Sequence, residues 1–197
     1  MTERNETDII NMSLDILGKA SIADIASARA GELVDAIKRR YQGAFNIALQ
    51  MAEWPEIRTV RILPTAVTPP DDEFLNAVQA PSDLLKIWTI NGSKRAFKRR
   101  RSGSQGEGLI LTNAPVPITV IYGRRVPPAE MSEVLARLCA AQLAVDVKSH
   151  AALKTSKSQE VDGILRIAVR DANFITGSDD GTEVTLTSPW LSAMDGL

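Results

Sequence analysis

The densest chemistry in this chain is cationic. The segment "KRAFKRRR" places Lys94, Arg95, Lys98, Arg99, Arg100 and Arg101 within eight residues, and "SGSQGEG" follows at once. Three chemistries suit such a run. Lys and Arg on a solvated strand edge block sheet-to-sheet aggregation. Six cations on a projecting segment contact nucleic acid with a steep salt dependence, although Phe97 is the one aromatic interleaved and no base-reading motif is present. Arginines also dock carboxylate-rich protein surfaces through bidentate contacts. Composition alone does not separate these three.

The other reactive side chains are sparse. His150 is the single histidine, no nucleophile is spaced around it as a general base requires, and a structural or solvated role is expected. Cys139 is the single cysteine, expected to be a buried small hydrophobe without a cationic neighbour to activate it. It excludes an intrachain disulfide. One Cys and one His without paired spacing do not supply a zinc site. The run Asp71-Asp72-Glu73 lacks the glycine and alternating oxygens of a calcium loop and reads as a solvated turn. Glu53 and Glu56 flank Trp54-Pro55. A carboxylate pair for glycan cleavage is one reading of them, and the end of a helix is the plainer one. "GSQGEG" leads into a strand and lacks a following Gly-Lys-Ser/Thr, so it is not a phosphate cradle.

The elements that must position these residues are legible as periodicity. Asn5 is placed to cap a helix over 6–18 that stops at Gly18. Ser27 is placed to cap a second, in which Ala30, Leu33, Val34, Ile37, Tyr41, Ala44, Phe45, Ala48 and Ala52 trace one face over about six turns. Trp54-Pro55 ends it. From 57 to 126 the period becomes two: "TVRIL", "LLKIWTI", "GLILT" and "PITVIYG" read as strands separated by turn chemistry. Asn91-Gly92 signals a hairpin that would pair 84–90 with 94–99 and put the basic residues on a strand and its tip. "VPPAE" opens a third helix with Pro128 in its first turn, and Met131, Val134, Leu135, Leu138, Ala141 and Val145 form its apolar face. A fourth follows over 157–174, on Val161, Ile164, Leu165, Ala168 and Ala172.

The expected fold is therefore α+β. Residues 1–56 and 127–176 form a four-helix body, two helices from each end of the chain. Residues 57–126 are an inserted antiparallel β module carrying the basic hairpin, and 177–197 are an extended tail. At 197 residues the chain is long enough to bury a core without staples. Apolar residues make up 44% and charged residues 24%, the balance of a globular protein, with no run long enough to span a bilayer and no signal-peptide pattern at the N-terminus. The net charge is −1. Without the six basic residues of 94–101, the 23 Lys and Arg fall to 17 against 24 Asp and Glu, a net of −7. The positive charge is local, which does not favour coating nucleic acid with the whole surface.

The order of elements carries a resemblance. "INMSLDILGKASIADI" followed by "ARAGELVDAIKRRYQGAFNIALQMAEWPEIRTVRILP" resembles the start of phage tail tubular protein A and its head-to-tail adaptor relatives, with Leu17-Gly18, Ala28-Arg29-Ala30 and Trp54 as counterparts of family features. "APSDLLKIWTING", "ITVIYGRRVPPAEMSEVLARLCAAQLA" and "VDGILRIAVRDANFITGS" are similar to the family's middle strand, its return into helix and its closing helix. The resemblance covers about residues 8–177. The basic hairpin departs from it, being more cationic than the family pattern.

What the resemblance implies is a structural virion protein, assembled in the host cytoplasm. It would sit in the neck or tail as a ring, commonly of twelve copies, between the portal protein and the tail nozzle or tube, continuing the channel through which DNA leaves. It implies no catalytic residues, no cofactor, no metal and no membrane partner. In that setting Lys94, Arg95, Lys98, Arg99, Arg100 and Arg101 are expected to contact a neighbouring ring or the DNA in the lumen, and Trp190 and Leu191 to belong to a docking tail. The alternative is a small cytoplasmic nucleic-acid-binding protein that uses the same 94–101 hairpin. A cell-wall glycan hydrolase built on Glu53 or Glu56 is a further rival.

Overall fold

The computed structural model of the chain describes residues 4–28, 31–64, 66–69, 73–93, 97–102 and 107–178. The described residues form a mixed α+β fold of four helices and two small antiparallel sheets.

Helix α1 (Glu6–Ile16) opens on a capping box. The Asn5 side chain accepts from the Asp8 amide at 3.1 Å, and the Asp8 carboxylate accepts from the Asn5 amide at 2.7 Å, so two orphan donors are satisfied at once. The helix stops two residues before the expected Gly18, which takes a left-handed φ of 66° that costs glycine nothing. The expected Ser27 cap is not formed. The Asp24 carboxylate instead accepts from the amides of Ala26 and Ser27, each at 3.1 Å, and this turn consumes the segment. Helix α2 (Glu32–Met51) therefore starts later, behind Gly31, with no side-chain cap. It buries Ala36, Ile37, Ala44, Phe45, Ala48 and Leu49 along the expected face. Trp54 folds back under its end, 1% exposed, with its indole N–H 3.4 Å from the Ala48 carbonyl.

The third helix also starts later than expected. Pro128–Glu130 is a separate 3-10 turn, and α3 (Glu133–Val147) is capped by Ser132, whose hydroxyl accepts from the Leu135 amide at 3.3 Å. The Glu56 carboxylate accepts from the Ser132 amide at 3.2 Å, tying the end of the α2 segment to the start of α3. Proline without an N–H suits the short turn, and the Ser132 hydroxyl then sets the true start. Nor is α3 a one-faced helix. Ala136, Leu138, Ala140, Gln142 and Leu143 are all buried, because α1, α2 and α4 (Thr155–Ser178) each pack on it. Glu133 and Arg137 stay exposed, but every residue from Leu138 to Ala144 is buried, and a stretch enclosed in this way has no polar face to keep. Its small residues allow this close approach, and each fully buried leucine contributes about 1.5–3 kcal/mol. Helix α4 runs beyond the expected 157–174 at both ends, burying Val161, Leu165, Val169 and Ala172. No described helix is long and apolar enough to cross a membrane.

Among the described residues seven strands lie between α2 and α3: β1 (Arg58–Leu63), β2 (Ala66–Val67), β3 (Asn76–Gln79), β4 (Leu84–Ile90), β5 (Phe97–Ser102), β6 (Glu107–Thr112) and β7 (Ile118–Arg124). The first sheet has the order β1-β7-β4 and the second β2-β3-β6-β5, all antiparallel. One face of the first sheet, including Ile87, Ile118, Val120 and Tyr122, packs on Val78 and Ile110 of the second. Its other face sends Trp88 and Ile121 into the helical core.

The Asn91-Gly92 turn forms as expected, with φ of 50° and 71° and reciprocal 2.9 Å hydrogen bonds between Ile90 and Ser93. The strand pairing drawn from it does not. Of the segment expected to pair with 84–90, residues 94–96 lie outside the described residues, and beyond the single Ile90–Ser93 bridge β5 pairs with β6, from Phe97 opposite Thr112 to Ser102 opposite Glu107. The turn is held by β7 instead: the Asn91 amide donates to the Thr119 carbonyl at 2.8 Å, and the Asn91 side chain accepts from the Thr119 amide at 2.7 Å.

Candidate partner-binding surface

The basic segment lies on β5, one edge of the second sheet. Two of its cations are tied to the fold. The Lys98 ammonium pairs with the Glu73 carboxylate, 2.6 Å from Oε2, and stands 5.7 Å from the centre of the Phe74 ring. The Arg99 guanidinium forks onto two carbonyls of β4, those of Leu84 and Leu85, each at 3.0 Å. Arg99 thus ties the β5 edge to the first sheet, making by side chain the contact between the two segments that the turn suggested for backbone. Arg100 and Arg101 are placed by backbone register, opposite Leu109 and Gly108. Lys94 and Arg95 lie outside the described residues, as do Asp71, Asp72, Trp190 and Leu191.

The remaining expected residues are dispersed. His150 Nδ1 lies 3.1 Å from a carboxylate oxygen of Glu32, joining the turn after α3 to the start of α2. Cys139 is 2% exposed, and burial pushes its thiol up to about 12, so it stays protonated and inert. Glu53 is exposed, while Glu56 holds the Ser132 amide. No group of three or more His, Cys, Asp or Glu among the described residues is placed to hold a metal ion.

The surface also shows features that periodicity did not single out. A cleft of about 700 Å³ opens between the α1–α2 end of the body and the loops around Asp83 and Pro128, with Arg4, Tyr41 and Arg125 on its walls. Arg4 is spent there on the Met131 carbonyl at 2.7 Å and on Glu133 at 2.5 Å. Burial pushes the Tyr41 phenol well above its ordinary range. Apolar side chains stand out on two different helices: Ile47 on α2, and Ile167, Phe174 and Ile175 on α4, with Phe174 78% exposed. On β1, Val60 and Ile62 are 57% and 63% exposed. Ile167 and Phe174 are seven residues apart, which aligns them on one side of α4, away from Val161 and Leu165. That spacing was readable in the sequence, but the buried stripe of the same helix is the stronger pattern and masks it.

No protein-family model matches the chain, and no curated protein matches it.

Proposed function

We propose that this chain is a structural virion protein of a tailed phage, a head-to-tail adaptor that forms a ring between the portal and the tail and continues the DNA channel. The observation that carries the reading is the pair of non-equivalent apolar surfaces, Ile47 on α2 and the Ile167–Phe174 side of α4. Helices α2 and α4 both pack on α3, and each presents its own exposed residues. Contact between two different patches of successive copies is head-to-tail association, and a rotation that closes gives a ring. The element order that resembles the adaptor family supports the same reading. The β module supplies surfaces for the rings above and below, and the tail beyond Ser178, with Trp190 and Leu191, belongs to the docking segment of this reading.

Lys98 and Arg99 of the basic hairpin are engaged internally, so two of its six cations already have partners within the fold. This weakens the nucleic-acid alternative, which draws on all six. The test is co-sedimentation of the full chain with portal rings of its own phage. Comigration that is lost in Phe174→Asp or Ile47→Asp, with the monomer's circular dichroism unchanged, is the expected result. A chain that stays monomeric beside portal rings, and instead binds duplex DNA with a steep salt dependence, overturns the reading.

A further inference from the structure

The first sheet ends at β1, whose outer side carries no strand among the described residues. This edge is not blunted by short length, since β1 spans six residues. Register fixes its two faces. Thr59, Arg61 and Leu63 stand beside Tyr122, Val120 and Ile118, while Val60 and Ile62 stand beside Ile121 and Thr119. That second face packs on the helical core at Ile121 but leaves Val60 and Ile62 exposed at the edge. A long edge with exposed apolar side chains is a template for another strand.

We infer that the occupant is the chain's own segment Glu183–Ser188, added as a strand along β1. The inference does not depend on the ring reading. Three observations select that segment. Its pattern, "EVTLTS", alternates with period two and matches β1 in length, and Pro189 follows, where a ladder donor is missing. Alternation places Val184 and Leu186 on the side of Val60 and Ile62, and Glu183 on the side of Arg61. The charges are complementary: 179–197 contains Asp179, Asp180, Glu183 and Asp195 and no Lys or Arg, while β1 carries Arg58 and Arg61, neither ion-paired to a described residue.

The third observation is where the tail begins. Helix α4 packs Val161 with Val147 and Ala151 at one end of the body. It packs Val169 and Ala172 in the cluster that holds Ile57, the residue before β1, together with Trp88. The chain therefore leaves α4 at the end of the body that meets the first sheet. The five peptide steps from Ser178 to Glu183 reach up to roughly 17 Å when extended.

Amide hydrogen exchange on the full chain, with sedimentation on the same samples, tests this. Where the chain sediments as a monomer, Glu183–Ser188 and the outward amides of Arg58–Leu63 should both exchange roughly tenfold or more slower than unstructured chain. Leu186→Pro lies outside the described fold and should release the β1 amides by a similar factor. Ile62→Thr should release the tail amides while α3 stays protected. Tail amides that exchange at the unstructured rate at every concentration overturn the inference. Protection confined to concentrations at which the chain sediments as a larger species also overturns it, and assigns the strand to a second copy.

Discussion

Replacing Arg99 by Met separates a residue that holds the fold together from one that decorates its surface. The methionine keeps most of the aliphatic stem and removes the guanidinium that reaches the Leu84 and Leu85 carbonyls at 3.0 Å. A hydrogen bond from a charged donor contributes about 1.5–3 kcal/mol when its partner is withdrawn from water, and less where water can step in. The Leu85 contact is exposed and the Leu84 contact part-buried, so the two together should be worth about 2 kcal/mol. Lys98→Met breaks a pair whose side chains are 60% and 55% exposed. Such a pair contributes about 0–1 kcal/mol, even with the Phe74 ring beneath the ammonium. Urea unfolding followed by tryptophan fluorescence reads both variants. With a slope of about 2.5 kcal/mol/M, Arg99→Met should lower the midpoint by roughly 0.8 M and Lys98→Met by roughly 0.4 M or less. Arg99→Lys should fall between wild type and Arg99→Met, because one ammonium does not reproduce a fork onto two carbonyls. Equal midpoints for the Arg99 and Lys98 methionine variants, or an Arg99→Met midpoint at the wild-type value, would refute the assignment of Arg99 as the tie between sheets.

A Cβ at Gly123 would lie 3.2 Å from Ile57 Cδ1 and 3.3 Å from Trp88 Cζ2, so Gly123→Ala should destabilise by about 1–2 kcal/mol in thermal melts. Ser132→Ala removes the cap of the central helix and should cost about 1 kcal/mol by the same measurement. Burial raises the Asp146 carboxyl above its ordinary value, against the opposing Gln142 hydrogen bond and the Arg40 charge. The folded state therefore holds that proton more tightly, and ionisation erodes stability as pH rises through the raised value. Asp146→Asn should melt higher than wild type at pH 7, with the gain gone at about pH 3, below the ordinary carboxylate value. A gain independent of pH would contradict the burial argument.

Local chemistry was legible wherever it acts over a few residues. Asn5, Gly18, Asn91 and Gly92 each do what their side chain or freedom at positive φ dictates, and the buried face of α2 follows its apolar spacing. Starts of helices were less legible, because several residues compete for them: Asp24 captures the Ser27 amide before Ser27 can cap, and Ser132 displaces Pro128 as the start of α3. Partnership between distant segments was not legible. Period two identifies β4 and β5 as strands, yet nothing in their alternation says that β4 pairs with β7 while β5 pairs with β6. The enclosure of α3 was hidden for the same reason, since alanines read as a neutral surface until three helices pack on them. Of the basic segment, the charge was plain, but the commitment of Lys98 to Glu73 and of Arg99 to β4 depends on a sheet arrangement that sequence spacing does not encode.

The most direct measurement is a cryo-electron microscopy reconstruction of a phage neck, the setting in which the proposed function places this chain. The account predicts a closed ring between portal and tail into which the four-helix body fits, with α2 of each copy facing α4 of the next and the β module projecting toward a neighbouring ring. A neck fully accounted for by other chains, with this one missing from purified particles, would contradict it.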